Sequence, residues 1–236
     1  MNKTYAVSDL HGQYALWRQV IESIDERDIL YVLGDCGDRG PDGWKIIKEA
    51  LGDPRVRYIR GNHDQFILDA WRSDWCDTHL WFWNGGYETY DSIVQDENSE
   101  IYLAQLARTE LYHCYENKNG QIIHLSHAGF TLMEDDVRVS NEDLLWDREH
   151  CEDSCDWWPK ENPNDYVVHG HTPVASSTFK RLNCFSPERY KINDSCSVVR
   201  YAHGHKICID AGSFATGKVA ILDLDTLQEL TIEIAK

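Results

Sequence analysis

The 236-residue sequence contains no long apolar run, few basic residues and no Cys-x-x-Cys pair. No stretch approaches the length of a bilayer-spanning helix, so we predict no membrane segment. The N-terminus leads directly into a predicted strand and shows no secretory signal, which makes a cytoplasmic location our expectation. The eight cysteines are scattered along the chain, and this spacing argues against a disulfide framework.

The scarcity of Lys and Arg also limits the kinds of partner. The chain has 23 basic and 40 acidic residues, with a formal net charge of −17. Because a nucleic-acid backbone is bound through clustered basic side chains, this balance argues against a nucleic-acid partner. It does not exclude a phosphate ligand, since bound divalent cations can reverse the sign of a pocket.

Length and composition favour one globular domain. A chain of 236 residues can bury one substantial core, and 42% hydrophobic with 27% charged residues is typical of globular proteins. No linker, low-complexity tract or internal repeat divides the sequence. We therefore predict a single domain over residues 1–236.

Two cysteines in an acidic stretch leave one question open. Cys151 and Cys155 lie close to His150 in the sequence, so a structural zinc site is one interpretation. The other is a polar surface loop that carries two reduced thiols. We favour the surface loop.

The first half of the chain alternates predicted strands with amphipathic helices. This series predicts parallel strands that are joined by right-handed crossovers. In such sheets, ligands bind at the carboxyl ends of the strands. The predicted strands are Thr4–Ser8, Ile29–Leu33 and Val56–Ile59, and the helices follow Gly12, cover Asp42–Leu51 and end at Trp71.

The second half is rich in predicted strands and supplies a second sheet. The segment Asn117-Lys118-Asn119-Gly120 is a strong hairpin signal between Leu111–Glu116 and Gln121–Ser126. We predict an α/β fold in which two mixed sheets face each other as a sandwich, with helices outside. The remaining strands are predicted at Asp165–Val168, Phe179–Leu182, Ser197–Tyr201, Lys206–Asp210, Lys218–Leu222 and Glu229–Ile234.

Residues 72–105 depart from this pattern because aromatic rings crowd them. Trp75, Trp81, Phe82 and Trp83 are accompanied by hardly any basic residues. A nucleic-acid stacking surface is therefore the weaker interpretation. We predict a small helical cap that packs its aromatic residues and lies over the site.

Polar clusters recur where the predicted strands end. The Gly-rich loop after the second strand carries two carboxylates and an arginine, and alone it would be compatible with a solvated turn. Similar polar clusters follow five of the predicted strands, and this recurrence indicates a functional site. The clusters are Asp9-Leu10-His11-Gly12, Leu33–Gly40, Gly61-Asn62-His63-Asp64, His127-Ala128-Gly129 and His169-Gly170-His171-Thr172.

The side chains of these clusters form a ligand set for divalent metals. Carboxylate, imidazole and amide oxygen suit Mn, Fe or Zn. A bridging carboxylate allows two cations roughly 3.5–4 Å apart, and Asp35, on the middle strand of the first unit, is the obvious bridge. Two metals would activate a shared water as a hydroxide nucleophile. The candidate ligands are Asp9, His11, Asp35, Asn62, His127 and His171.

Other charged residues near the clusters suit phosphate chemistry. Arg39 and Arg148 can form paired hydrogen bonds to phosphate oxygens. His63 cannot easily be a ligand if Asn62 is one, because adjacent side chains diverge. It is therefore free to protonate a leaving oxygen, and Asp38 would orient it and raise its pKa.

In combination, these motifs resemble those of the phosphoprotein phosphatase family of metallophosphoesterases, which have the calcineurin-like fold. The later motifs are similar to the bacterial and phage branch of that family. The resemblance extends from Thr4 to about Leu224. The matching motifs are Asp9-x-His11-Gly12, Gly34-Asp35-x-x-Asp38-Arg39-Gly40, Gly61-Asn62-His63-Asp64, Ser126-His127-Ala128-Gly129, Leu144-Leu145-Trp146-x-Arg148, Gly170-His171-Thr172-Pro173 and Ile209-Asp210-Ala211-Gly212.

The resemblance implies a role for each candidate residue. It implies two divalent metal ions, with Mn²⁺ favoured and Fe or Zn as alternatives. His63 and Asp38 would form the general acid pair, and Arg39 and Arg148 would hold phosphate. The first metal would be held by Asp9 and His11 and the second by Asn62, His127 and His171, with Asp35 shared and Asn62 also facing the substrate.

Several positions depart from the family pattern. Gly37 stands where Val or Ile is usual and Asp64 where Glu is frequent, and both changes leave the ligands intact. Residues 183–201 form a longer stretch than in compact phage-type enzymes, and we predict an insertion, either a hairpin that narrows the substrate groove or a surface excursion. His169 could compete with His171, but the His-Thr-Pro context favours His171 and leaves His169 a structural role.

The remaining question is which class of substrate the predicted enzyme hydrolyses. We predict a Ser/Thr protein phosphatase, with phosphotyrosine as a further substrate, on the basis of the Leu144–Arg148 motif and the absence of an evident nucleoside pocket. The alternative is a symmetrical diadenosine tetraphosphatase or another small-phosphate hydrolase. A non-catalytic metal-binding module is disfavoured, because it would need neither the acid pair nor the two arginines.

Overall fold

The computed structural model describes residues 2–73, 78–130, 139–152, 163–176, 178–181 and 188–234. Strands and helices alternate in the first part of the chain, and strands dominate the later part. Within these ranges the strands are β1 (Thr4–Val7), β2 (Ile29–Val32), β3 (Val56–Tyr58), β4 (Tyr112–Glu116), β5 (Ile122–Ser126), β6 (Asp165–His169), β7 (Lys191–Ile192), β8 (Val199–Tyr201), β9 (Lys206–Cys208), β10 (Lys218–Asp223) and β11 (Glu229–Glu233).

The strands form two mixed sheets, as predicted. One sheet has the order β11-β10-β1-β2-β3, and its strands β1, β2 and β3 are parallel. The other has the order β4-β5-β6-β9-β8-β7, with β5, β6 and β9 parallel. The predicted hairpin joins β4 to β5 as an antiparallel pair.

Alternation along the strands divides the apolar core into layers. Successive residues of a strand point to opposite faces. On β2, Tyr31 therefore packs in a cluster with Leu125 and Val168 of the other sheet. Its neighbours Leu30 and Val32 pack in a separate cluster that includes residues of the helices. The two sheets consequently face each other across an apolar layer, with helices on the outer face of the first sheet.

The helices begin and end close to the predicted positions in the first half of the chain. Among the described residues, no helix has the length and apolarity needed to cross a membrane. The helices are α1 (Tyr14–Glu22), α2 (Gly43–Gly52), α3 (Asn62–Arg72), α4 (His79–Trp83), α5 (Tyr87–Val94), α6 (Ser99–Leu106), α7 (Asn141–Trp146), α8 (Glu149–Glu152) and α9 (Ser213–Thr216), with a 3₁₀ helix at Ala202–Gly204.

Helices α4, α5 and α6 occupy the described part of residues 72–105. Trp81 is buried and contacts the rings of Phe82 and Tyr90. The segment also touches the loop after β2, because the Arg39 amide donates a hydrogen bond of 2.8 Å to the carbonyl oxygen of Gly85. Trp75 lies outside the described residues.

The strand predicted at Phe179–Leu182 is wrong. Residues 178–181 are helical, and Leu182 lies outside the described residues. Phe179 is fully buried against Tyr190 and Tyr201, while the two residues after it are exposed. One helical turn is compatible with this burial pattern. The prediction of a strand failed because four residues are too few for the periodicity to separate a strand from a helix.

The predicted insertion at residues 183–201 is described only in part. Residues 183–187 lie outside the described ranges. The remainder carries β7 and β8, which pair antiparallel at the edge of the second sheet.

Candidate metal centre

The carboxyl ends of the parallel strands from both sheets meet at one rim. Since a loop after each strand begins at this rim, side chains that are distant in the sequence come together there. The structure brings the six candidate ligands into one buried group, in which no member is more than 5% exposed. Asp9 and His11 follow β1, Asp35 follows β2, Asn62 begins α3, His127 follows β5 and His171 follows β6.

Asp35 lies at the middle of the group. Its Oδ2 is 3.3 Å from Nε2 of His127 and 3.9 Å from Nε2 of His11. The same His11 atom lies 3.9 Å from Oδ1 of Asp9, and Oδ1 of Asn62 lies 2.8 Å from Nε2 of His127. Asp35 therefore contacts both halves of the group, which is the placement that a bridging carboxylate requires.

Backbone carbonyl groups determine which imidazole nitrogens face the centre. His11 donates from Nδ1 to the Gly37 carbonyl at 2.9 Å, and His127 donates from Nδ1 to the Leu33 carbonyl at 2.7 Å. A neutral imidazole has one N–H, so the Nε2 of each ring turns a lone pair toward carboxylate oxygens. Among the described residues, the buried Nε2 of His171 has no hydrogen-bond partner. This donor set fits divalent cations of the Mn, Fe and Zn type.

Burial and the close packing of charged groups shift the pKa values of several candidate ligands. Burial raises the pKa of Asp35, but the neighbouring His127 and His63 outweigh burial and hold it well below its usual value. Burial lowers the pKa of His127, but the Asp35 carboxylate outweighs burial and raises it. Burial lowers the pKa of His11 to about 3, which keeps its lone pair available to a metal.

Strained backbone is concentrated in the same loops. The described residues include ten non-glycine residues with positive φ, and six of them are candidate site residues. Such conformations cost of order 1–3 kcal/mol each and persist where the surrounding structure enforces them, often at functional sites. The six are Asp9, His11, Asp35, Asp38, Arg39 and His171.

Gly170 allows the His171 loop to pack directly on the Asp9 carboxylate. A Cβ at this position would collide with Oδ2 of Asp9 and with the Ser8 hydroxyl. The His171 amide also donates a hydrogen bond of 3.0 Å to the same Asp9 oxygen. The position of the Asp9 carboxylate therefore depends on the absence of a side chain at residue 170.

Gly170→Ala is expected to displace Asp9 and to lower metal affinity and activity roughly 10–100-fold, as changes to the residues around metal ligands do. Elemental analysis of the purified variant measures the metal, and p-nitrophenyl phosphate turnover measures the activity. Gly52→Ala is the matched control, because a Cβ there meets nothing within 4 Å. Full metal content and activity in Gly170→Ala would contradict the dependence of Asp9 on this close approach.

His63 and Asp38 form a buried pair beside the group. Nδ1 of His63 donates to Oδ2 of Asp38 at 2.6 Å. Trp81 Nε1 donates to both oxygens of the Asp38 carboxylate at 2.9 Å, and the Asp38 amide donates to the Thr89 hydroxyl at 2.8 Å. Burial lowers the pKa of His63, but Asp35 and Asp38 outweigh burial and raise it. One potential metal-ligand atom of His63 also lies within 4.8 Å of those of His11 and Asp35.

The two arginines lie exposed at the mouth of the group. The Arg39 guanidinium donates to Nε2 of His11 at 2.7 Å and to Nε2 of His63 at 3.0 Å. Arg148 makes a longer contact of 3.4 Å to the carbonyl oxygen of His171. Both guanidinium groups can therefore reach an anion that sits over the ligands.

Asp64 has a positioning role that the sequence analysis missed. Its Oδ2 accepts hydrogen bonds from the amides of Gly61 at 2.9 Å and Asp35 at 3.1 Å, and its Oδ1 accepts one from Tyr58 at 3.0 Å. Burial, followed by the Asp35 charge, raises the pKa of Asp64 to about 7. The signal was present, because an acidic residue at the third position of a helix is typical of a capping box. Trp81 and Thr89 carried no such local signal.

Two other residues lie away from this centre. His169 directs Nε2 to the Tyr201 hydroxyl at 2.7 Å, so it takes no part in the group around Asp35. The surface-loop interpretation is wrong for Cys151, which lies in α8 and is 0% exposed. Cys155 lies outside the described residues.

Comparisons with known proteins agree with this geometry. A family model described as calcineurin-like phosphoesterase matches residues 3–206. A symmetrical bis(5'-nucleosyl)-tetraphosphatase from Buchnera aphidicola subsp. Acyrthosiphon pisum (strain 5A) is 42% identical over 54% of this chain and 44% of its own length. Serine/threonine-protein phosphatase 1 from Salmonella typhimurium is 33% identical over 72% of this chain and 78% of its own length. The chain thus spans less than half the length of that tetraphosphatase.

Solved structures show the same fold at low sequence identity. A crystal structure named for a diadenosine tetraphosphatase has a TM-score of 0.65 at 13% identity, over 98% of this chain and 93% of that one. A protein serine/threonine phosphatase from Saccharomyces cerevisiae has a TM-score of 0.57 at 13% identity, over 100% of this chain and 81% of that one. These similarities concern the fold alone.

Proposed function

Because the chain belongs to the calcineurin-like phosphoesterase family, we propose that it is a metal-dependent phosphomonoester hydrolase that acts on phosphoserine and phosphothreonine in proteins, with phosphotyrosine as a further substrate. The observation that carries this proposal is the His63–Asp38 pair, which Trp81 holds beside the metal ligands. A serine or threonine alkoxide is a poor leaving group, so its departure requires a proton donor of this kind.

The proposed metal ligands fall into two sets that share Asp35. Two divalent ions bound there, which we propose to be Mn²⁺ with Fe or Zn as alternatives, supply Lewis-acid activation of water and of phosphoryl oxygens. Hydrogen bonds orient three of these residues: the carbonyls of Leu33 and Gly37 accept from His127 and His11, and the Asp64 carboxylate accepts from the Asp35 amide. Asn62 faces the same space and would also contact the substrate.

The remaining residues would bind and orient the phosphate group. The guanidinium groups of Arg39 and Arg148 can each match two phosphate oxygens at once. Arg39 already donates to His63, so a phosphate that it holds lies next to the proposed acid. When Arg39 binds phosphate in place of His63 Nε2, that nitrogen can carry a proton and pass it to the leaving oxygen while Nδ1 stays bonded to Asp38.

The extent of the sequence matches favours a protein substrate. The Salmonella phosphatase aligns over 78% of its own length, whereas the Buchnera tetraphosphatase aligns over 44%. The tetraphosphatase match therefore rests on a smaller share of the relative's own sequence than the phosphatase match does. Its higher identity, 42%, keeps a dinucleoside polyphosphate as the second candidate substrate.

A side-by-side assay of the Mn²⁺-loaded protein tests the proposal. We expect kcat/KM for a phosphoserine peptide to exceed that for diadenosine tetraphosphate, and p-nitrophenyl phosphate serves as the reference for chemistry at the metals. The reverse order would assign the chain to the tetraphosphatases. A folded, metal-loaded protein that turns over none of the three substrates would contradict both candidates.

A further inference from the structure

Helices α4 and α5, with the turn between them, make three hydrogen-bonded contacts with the loop after β2. The Asp38 amide donates to the Thr89 hydroxyl at 2.8 Å, and the Arg39 amide donates to the Gly85 carbonyl at 2.8 Å. The third contact is made by the indole nitrogen of Trp81, which lies 2.9 Å from each oxygen of the Asp38 carboxylate. The cap segment therefore holds both the backbone and the side chain of residues beside the proposed acid.

The two amides that the cap segment holds belong to residues with left-handed backbone. Asp38 has a φ of 66° and Arg39 a φ of 64°. Non-glycine residues are uncommon in this region and persist where the surrounding structure enforces the conformation. The hydrogen bonds to Thr89 and Gly85 provide part of that enforcement. The direction in which Asp38 and Arg39 leave the loop consequently depends on the cap segment.

The Asp38 carboxylate has two donors and no access to solvent. It is 0% exposed, and His63 donates from Nδ1 to Oδ2 at 2.6 Å. Among the described residues, Trp81 supplies the only other hydrogen bond to it. Because the indole nitrogen is equally distant from both oxygens, it fixes the rotation of the carboxylate. With His63 as the single donor, the carboxylate and the imidazole could turn together.

The indole of Trp81 is itself held in one position. The side chain is 1% exposed and contacts the rings of Phe82 and Tyr90, with centroids 5.7 and 6.1 Å away. A Cβ at Gly86 would lie 2.1 Å from the indole nitrogen, so the turn packs directly against the N–H edge of the ring. Trp81 thus has two separable properties, the packing of its ring and the hydrogen bond from its N–H group.

We propose that Trp81 is a positioning residue for general acid catalysis, and that its indole N–H fixes the Asp38 carboxylate, which in turn aims His63 at the leaving oxygen. The inference rests on the proposed function, because it assigns the cap segment a part in protonation of the leaving group. Arg39, which contacts His63 Nε2 at 3.0 Å, is held by the same segment through Gly85. The cap segment would therefore set the acid and the phosphate-binding guanidinium in one frame.

Replacing Trp81 with benzothienylalanine tests the hydrogen bond apart from the packing. This tryptophan analogue carries sulfur in place of the indole N–H group and closely preserves the shape of the ring. In the Mn²⁺-loaded protein we expect kcat on a phosphoserine peptide to fall roughly 10–100-fold, the range that a hydrogen bond to a charged group represents. KM for the peptide, metal content and turnover of p-nitrophenyl phosphate should stay at the wild-type level, because p-nitrophenolate needs no proton to leave.

The same replacement at Trp17 is the matched control. Trp17 is also 1% exposed, and its indole nitrogen donates at 2.9 Å to the carboxylate of Glu49, which lies outside the candidate site. This protein should keep wild-type kcat on both substrates. A loss at Trp17 equal to that at Trp81 would overturn the proposal, since it would reduce the effect to a general loss of buried indole hydrogen bonds.

Three results with the Trp81 analogue would also overturn the proposal. They are an unchanged kcat on the phosphoserine peptide, equal losses on the two substrates, and loss of metal. If the analogue protein does not fold, NMR spectra of the indole N–H groups in wild type and Asp38→Asn replace it. One shifted indole signal would support the contact, and the absence of any shift would overturn it.

Parallel measurements on wild type and His63→Ala separate this inference from the proposed function. A wild-type protein that is inactive on the phosphoserine peptide would contradict the proposed function itself. If wild type is active and His63→Ala loses mainly the peptide reaction, the general acid is supported. A Trp81 analogue protein with full peptide turnover would then overturn the positioning role alone.

Discussion

Asp35→Asn is expected to lose metal and activity together. Asp35 contacts both His11 and His127, at 3.9 and 3.3 Å, so its carboxylate is the proposed link between the two metal positions. The asparagine amide carries no negative charge. Its NH₂ group would face the imidazole lone pairs that are proposed to bind the metal. Changes around metal ligands cost roughly 10–100-fold, so loss of the shared ligand itself is expected to reach at least the upper end of that range.

Elemental analysis and p-nitrophenyl phosphate turnover on the same preparation measure both losses. Asp69→Asn is the control, because Asp69 lies exposed on α3 and its only charged contact is Arg72 at 3.9 Å among the ion pairs of the described residues. This variant should keep both metals and full activity. A folded, inactive Asp35→Asn protein that binds two full equivalents of metal would rule out the bridging role.

His63→Ala is expected to keep its metals and to lose activity in proportion to the basicity of the leaving group. A serine alkoxide needs a proton as it departs, whereas p-nitrophenolate leaves readily without one. General acid catalysis typically contributes ~10²–10⁴-fold, so the phosphoserine peptide should show most of that loss and p-nitrophenyl phosphate little of it. Comparing kcat on the two substrates gives the ratio directly.

Asp38→Asn should show the same dependence in milder form. The histidine remains, but the charge that raises its pKa and the 2.6 Å hydrogen bond that orients it are weakened. Metal content is the decisive control for His63→Ala, because His63 has a donor atom within 4.8 Å of those of His11 and Asp35. Loss of metal from His63→Ala would make His63 a ligand, and equal losses on the two substrates would make it part of the scaffold.

Trp81 and Asp64 illustrate what local sequence patterns could not predict. The sequence indicated Trp81 only as one of several aromatic residues in the predicted cap. In the structure its indole N–H donates to the Asp38 carboxylate. Residues 38 and 81 belong to different elements, and no periodicity encodes a contact of that separation. Asp64 carried a capping signal, but its bond to the Asp35 amide depends on how β2 and β3 lie next to each other.

The sequence by itself determined the alternating order from β1 to α3 and the positions of the candidate ligands. Strand length, helical periodicity and loop glycines are local signals, and parallel strands necessarily collect their carboxyl ends at one rim. The tertiary structure alone decided which imidazole nitrogen is free, because that depends on carbonyl groups such as those of Gly37 and Ala128. It also decided that Cys151 is buried beside two histidines, since burial results from the packing of segments that are distant in the chain.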